Sequence, residues 1–154
     1  AQQYMHGKKF AVYGDPDYLV GYVSFLLEMG AHPYQIVCSR GSKKLEKELQ
    51  GLLDGSMYGK GCKIYMNKDL WHLRSLIMTD PVDAMIGDSH GKFAARDAGI
   101  PLFRFGFPVF DRVNMHRYPR IGYQGVIYMV TQICNKFLDS KDETCEDRFF
   151  ELMR

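Results

Sequence analysis

Five times along this chain a short strand-like run gives way to a segment with helical spacing, and that alternation limits the fold more than any other feature of the sequence. The runs are Lys9 to Tyr13, Tyr34 to Cys38, Cys62 to Met66, Val82 to Ile86 and Ile100 to Phe105. Between them, Tyr18 to Met29 places Leu19, Tyr22, Val23, Leu26 and Leu27 on one helical face, with Gly30 suited to a left-handed stop. Ser42 caps a helix through Leu53 with Leu45, Leu49 and Leu52 inward, and Asp69 caps another bearing Leu70, Leu73, Leu76 and Ile77, which Pro81 ends. Gly91 to Ala98 and Tyr123 to Leu138 read as the last two helices. Parallel strands need crossover helices that cover both faces of the sheet. The expectation is an α/β fold: a three-layer, Rossmann-like, doubly wound sheet of about five mainly parallel strands.

A chain of 154 residues, 46% hydrophobic and 25% charged, fits one globular domain spanning 1–154. Its 20 basic and 18 acidic residues leave a net charge of +2 without a basic run, so no nucleic acid is implied. The longest apolar stretch, Leu19 to Leu27, is too short and too interrupted for a membrane span. Cys38, Cys62, Cys134 and Cys145 are widely separated, which argues for thiols and against a zinc ribbon or a disulfide scaffold. With no signal-peptide pattern at Ala1 to Gly7, a cytoplasmic location is expected.

Ligands of open parallel sheets sit beyond the carboxyl ends of the strands. Four turns fall there: Gly14-Asp15-Pro16, Cys38-Ser39-Arg40-Gly41, Gly87-Asp88-Ser89-His90-Gly91 and Gly106-Phe107-Pro108. The first lacks the glycine pattern for a dinucleotide, and Asp15 and Asp17 would repel a pyrophosphate. Ser39 to Ser42, helped by Arg40, and Gly87 to Gly91 are the better small-anion candidates, but without a P-loop lysine helix capping by Ser42 and Ser89 is favoured. His72, His90 and His116 lack metal-site spacing, and adjacent Ser89 and His90 lack a nucleophile elbow. No catalytic, cofactor-binding or metal residue is therefore assigned. Asp111 is expected to pair with Arg112 or Arg117 and hold the loop after the fifth strand. Phe103, Phe105, Phe107 and Phe110 cluster at one sheet end and mark a packed domain boundary or a partner surface, with an internal corner packed on the domain's own core as the alternative for Phe107 to Tyr118. Phe107, Phe110, Arg112, Arg117, Tyr118, Phe149 and Phe150 are its candidate residues, because aromatic and arginine side chains dominate interface energetics.

The segments Gly14-Asp15-Pro16-Asp17, Asp69-Leu70-Trp71-His72-Leu73-Arg74-Ser75-Leu76 and Gly106-Phe107-Pro108-Val109-Phe110-Asp111-Arg112, in that order, resemble the C-terminal domain of the nitrogenase molybdenum-iron protein β chain. The resemblance runs from about His6 to Arg154, whose ending Phe149-Phe150-Glu151-Leu152-Met153-Arg154 is similar to the family's tail. It implies a domain excised at its N-terminal side from a longer oxidoreductase subunit, inactive by itself. The implied partners are the missing N-terminal β domains, an α chain and a second β chain in an α2β2 heterotetramer, with the iron protein serving the intact complex. An iron-sulfur P-cluster and an iron-containing catalytic cofactor are implied for that complex, and no residue here matches their ligand motifs. Val113-Asn114 stands where many β chains have histidines. A vanadium or iron-only β chain, the related cofactor-assembly scaffold, and a stand-alone Rossmann-like small-anion-binding domain are the alternatives.

Overall fold

The computed structural model describes residues 2–145. Strands β1 (Lys9–Tyr13), β2 (His32–Cys38), β3 (Lys63–Met66), β4 (Ala84–Gly87) and β5 (Leu102–Arg104) form one sheet in the order β3-β2-β1-β4-β5. Every neighbouring pair is parallel. Helices α1 (Gln2–Met5), α2 (Pro16–Glu28), α3 (Lys43–Asp54), α4 (Leu70–Thr79), α5 (Lys92–Ala98) and α6 (Gly122–Thr144) accompany it. Chain order reverses between β1 and β4, the position at which such sheets open a crevice.

The two-residue period of the strands divides the core into two layers. Phe10, Val12, Ile36, Cys38, Ala84 and Ile86 face α2, α3 and α6, where Leu19, Leu26, Leu49, Met129 and Ile133 close the larger layer. Ala11, Tyr13, Val37 and Met85 point the other way, onto Leu73 and Ile77 of α4 and Ala94 and Ala95 of α5. Helix α2 opens at Asp15 with Pro16 in its first turn, and Gly30 follows it at φ 75°. Ser42 and Asp69 cap α3 and α4 by accepting from Leu45 N–H and His72 N–H.

The boundaries depart from expectation for local reasons. β2 starts at His32 rather than Tyr34, and the pairing of β1 with β2 shifts register between Lys9 and Ala11, so the ladder steps around Pro33, which has no N–H to give. Pro101, which has no N–H to give, likewise keeps β5 from starting before Leu102. Helix α6 runs on to Thr144: its last residues are compatible with a helix, but being polar they carry no apolar period to signal it. Leu52 is half-buried, and Leu53 takes the inward place. Helix α1 has no sequence signal of its own, yet its Met5 is fully buried.

Candidate partner interface

The loop from Phe105 to Ile121, between β5 and α6, is built around a largely covered ion pair. Arg104, at the end of β5, presents its guanidinium as a fork: Nε donates to Asp111 Oδ1 at 2.8 Å and to Oδ2 at 3.0 Å, and Nη2 donates to Oδ2 at 2.7 Å. Both side chains are largely covered, at 12% and 14% exposed. Ser89 Oγ donates to Asp111 and accepts from Phe110 N–H. The Arg104 bonds above all, with Ser89 adding to them against the cost of burial, hold the Asp111 carboxyl well below the usual carboxylate range.

This arrangement corrects two expectations. Asp111 takes Arg104 as its principal partner, with Arg112 at 3.6 Å and no Arg117 ion pair among the described residues. The reason is geometric, since Arg104 lies in the strand beneath the loop and can approach Asp111 edge-on. Ser89 is not the cap of its turn. It is fully buried and ties β4 to the loop, while Asp88 does the capping by accepting from His90 N–H. His90 Nδ1 lies against Asp88 rather than against the Ser89 hydroxyl.

Further bonds fix the rest of the loop. Gly106 N–H donates to Gly87 O, and Ser89 N–H donates to Pro108 O. Arg120 donates from Nη1 to Gly106 O at 2.8 Å and from Nη2 to Met115 O at 3.1 Å. The Tyr118 ring stacks on Tyr128 of α6 at 4.8 Å. Polar atoms are thereby consumed internally, while large apolar groups point outward. Phe107 is 68% exposed, Phe110 59%, Ile121 87% and Tyr123 90%, with Val113, Tyr118, Val126 and Ile127 also exposed. Arg112 and Arg117 are exposed beside them. Of the seven candidate interface residues, Phe107, Phe110, Arg112, Arg117 and Tyr118 thus share one segment, whereas Phe149 and Phe150 lie outside the described residues. Ile121 and Tyr123 have no sequence signal of exposure, because apolar residues at a helix start resemble core positions until the fold turns them outward.

A second exposed apolar group adjoins the first. Trp71, 76% exposed, together with Phe93 and Phe110 lines a hollow of about 640 Å³ between α4 and α5. Lys92 Nζ stands over both phenyl rings, 4.9 Å from the centre of Phe93 and 5.5 Å from that of Phe110.

At the carboxyl ends of the strands, another hollow of about 470 Å³ brings together residues from three of the four predicted turns, Asp15, Ser39 and Asp88, with Phe107 from the fourth. Lys68 and Asp69, which the sequence reading did not place there, complete it. Arg40 does not line it. Beneath it, Tyr13 fills the crevice between β1 and β4. Its hydroxyl donates to Asp88 O and accepts from Gly91 N–H at 2.9 Å, and burial pushes the phenol well above its usual range. A methyl group at Gly87 or Gly91 would overlap the Tyr13 ring or hydroxyl. The Gly91 amide, the donor that an anion would need, is therefore taken by the chain's own side chain.

The cysteines do not form a cluster-binding set. Cys38 and Cys134 are buried in the larger core layer, and Cys62 Sγ donates to Tyr58 O. Burial pushes the Cys62 thiol up to about 11, partly offset by Lys9. Among the described residues no three His, Cys, Asp or Glu side chains converge to hold a metal ion, so the donor geometry here does not fit the implied iron clusters. Among the same residues no helix is long and apolar enough to cross a membrane.

Comparison with known proteins places this geometry in context. A family model for nitrogenase component 1 type oxidoreductases matches residues 1–138. The nitrogenase molybdenum-iron protein β chain of Nostoc sp. is 46% identical over 98% of this chain and 30% of its own length. That of Azotobacter vinelandii is 46% identical over 91% of this chain and 28% of its own length. A solved structure described as nitrogenase Cp1 at pH 6.5 superposes with a TM-score of 0.90 at 37% identity, covering 96% of this chain and 32% of that one. A second, nitrogenase Cp1 at pH 5, has a TM-score of 0.65 at 12% identity and supports the fold alone. The chain spans about 30% of the length of the curated relatives it matches.

Proposed function

Because the chain belongs to the nitrogenase component 1 type oxidoreductase family, we propose that it is the C-terminal structural and subunit-interaction domain of a component one β chain. It forms one domain across 1–154 and contributes no catalytic cluster. Dinitrogen reduction to ammonia belongs to the α2β2 assembly, whose iron-sulfur P-cluster and catalytic cofactor are held by other domains and whose electrons come from the iron protein. The partners of this domain are the N-terminal β domains, the α chain and a second β chain.

The observation that carries this reading is the Phe107 to Ile127 face. A loop fixed by Arg104, Ser89 and Arg120 displays Phe107, Phe110, Ile121 and Tyr123 to solvent. Large apolar side chains grouped on a rigid support mark a surface that another protein covers. The solvent exposure of Phe107, Phe110 and Tyr118 also disfavours an internal corner.

Split-chain assembly tests the proposal. The chain is co-expressed with a nitrogenase α chain and a β chain lacking the corresponding segment. Co-purification at one copy per β chain, with acetylene reduction restored, is the expected result. A chain that elutes alone while the truncated β chain still assembles would contradict it.

A further inference from the structure

The face just described is unbalanced in charge. From Phe105 to Asn135 the sequence has three arginines, Arg112, Arg117 and Arg120, and a single carboxylate, Asp111. That carboxylate is already consumed by the Arg104 fork and the Ser89 hydroxyl. Arg120 is occupied by two carbonyl oxygens, which leave its charge uncompensated. Between these groups lies a hollow of about 470 Å³ lined by Phe107, Val109, Arg112, Tyr118, Arg120 and Ile121, with no carboxylate in its wall among the described residues. Arg112 Nη1 donates to Asp111 O and stands 3.6 Å from the shared Asp111 carboxylate, yet its side chain remains 55% exposed, so most of its donors are open to a second partner.

We infer that this hollow receives a segment of a different polypeptide that carries a large apolar side chain with an aspartate or glutamate close beside it. This rests on the proposed role of the face and names the chemistry of what covers it. The apolar side chain enters between Phe107 and Ile121, where desolvation supplies affinity. The carboxylate meets Arg112, whose planar fork suits two-point contact with carboxylate oxygens. Because Arg112 stays at the rim, the charge contact acts mainly on selectivity and association rate. A basic or uncharged apolar segment would fill the same space and leave the open donors of Arg112 unmet.

Random 12-residue peptides displayed on phage and selected on the 154-residue chain provide the test. Selected peptides should be enriched in Asp or Glu beside Phe, Leu or Trp. Their binding, followed by fluorescence anisotropy, should weaken about tenfold in Arg112→Gln and in Ile121→Ser. Melting should not fall in either variant, since both side chains are exposed and Ile121→Ser adds a capping hydroxyl at the start of α6; if Arg112→Gln nevertheless fails to fold, Ile121→Ser and the salt dependence of peptide binding decide. Peptides without acidic enrichment, or equal binding to both variants, would overturn the inference. So would a dimer of the wild-type chain in sedimentation that dissociates in Ile121→Ser, because the occupant would then be a second copy. In the split-chain assembly, unaltered incorporation of Arg112→Gln overturns the inference while the β-chain role stands. If the wild-type chain fails to assemble, the role falls and peptide selection still decides the chemistry of the hollow.

Discussion

Arg104 and Asp111, seven residues apart, face each other as a fork and a carboxylate between the last strand and the loop that leaves it. The pair does for this loop what a hairpin turn does for two strands. It sets where Phe107 and Phe110 can be, and it leaves Arg112 turned outward.

Replacing Asp111 by Asn should destabilise the chain by about 2 to 3 kcal/mol at neutral pH, because Arg104 is left buried without its counter-charge. The sign with pH follows from a carboxyl whose folded pKa is lowered by Arg104. Its contribution is complete above the unfolded value of about 3.9 and is lost as pH falls towards the folded value. Urea denaturation should give a gap between wild type and variant that is constant from about pH 7 to pH 5 and narrows below about pH 4. A gap widening on acidification would refute the assignment.

Gly91→Ala should cost about 1 to 3 kcal/mol, since the new methyl meets the Tyr13 hydroxyl in a packed crevice. Tyr13→Phe removes that oxygen, though it also strips Asp88 O and Gly91 N–H of their partner. The double variant should therefore be more stable than the sum of the single changes predicts, by about 1 kcal/mol in a double-mutant cycle. Strict additivity would mean that the hydroxyl is not the group for which the glycine makes room.

The four cysteines should alkylate in a defined order. At pH 8, with iodoacetamide and peptide mass spectrometry, exposed Cys145 is modified first. Cys62, raised to about 11, has about one thiol in a thousand ionised at that pH and reacts slowly. Cys38 and Cys134 are buried and should react only on unfolding. Early labelling of Cys62 would show that the Tyr58 carbonyl does not hold it inside.

Arg117→Glu, built into a complete β chain, should weaken α2β2 assembly by about 1 to 3 kcal/mol. The melting of the isolated chain should move little, because Arg117 is exposed and makes no ion pair among the described residues. Analytical ultracentrifugation and calorimetry read the two effects separately. Equal assembly with a destabilised isolated chain would return the segment to the internal fold.

Much of the architecture was legible because helix caps and apolar spacing are local. Ser42, Asp69 and Gly30 stand where residue chemistry alone puts them. The strand ends were less legible, since Pro33 could be kept in β2 only by a register shift that depends on β1. The aromatic and arginine segment after β5 was readable as an unusual composition. Its wiring was not, because Arg104, Ser89 and Asp111 meet through three separate elements and none is adjacent in sequence. Tyr13 is a similar case: its need for glycine at 87 and 91 appears only once β1 and β4 are side by side.

Both margins of the sheet are short, with four residues in β3 and three in β5. An unpaired margin is where one folded chain can recruit another into a continuing ladder, and so little backbone gives such growth a poor template. Clumping of the folded chain in isolation should therefore proceed through Phe107, Ile121 and Tyr123, side chain against side chain, and yield amorphous material that disperses again rather than fibrils with a cross-strand repeat.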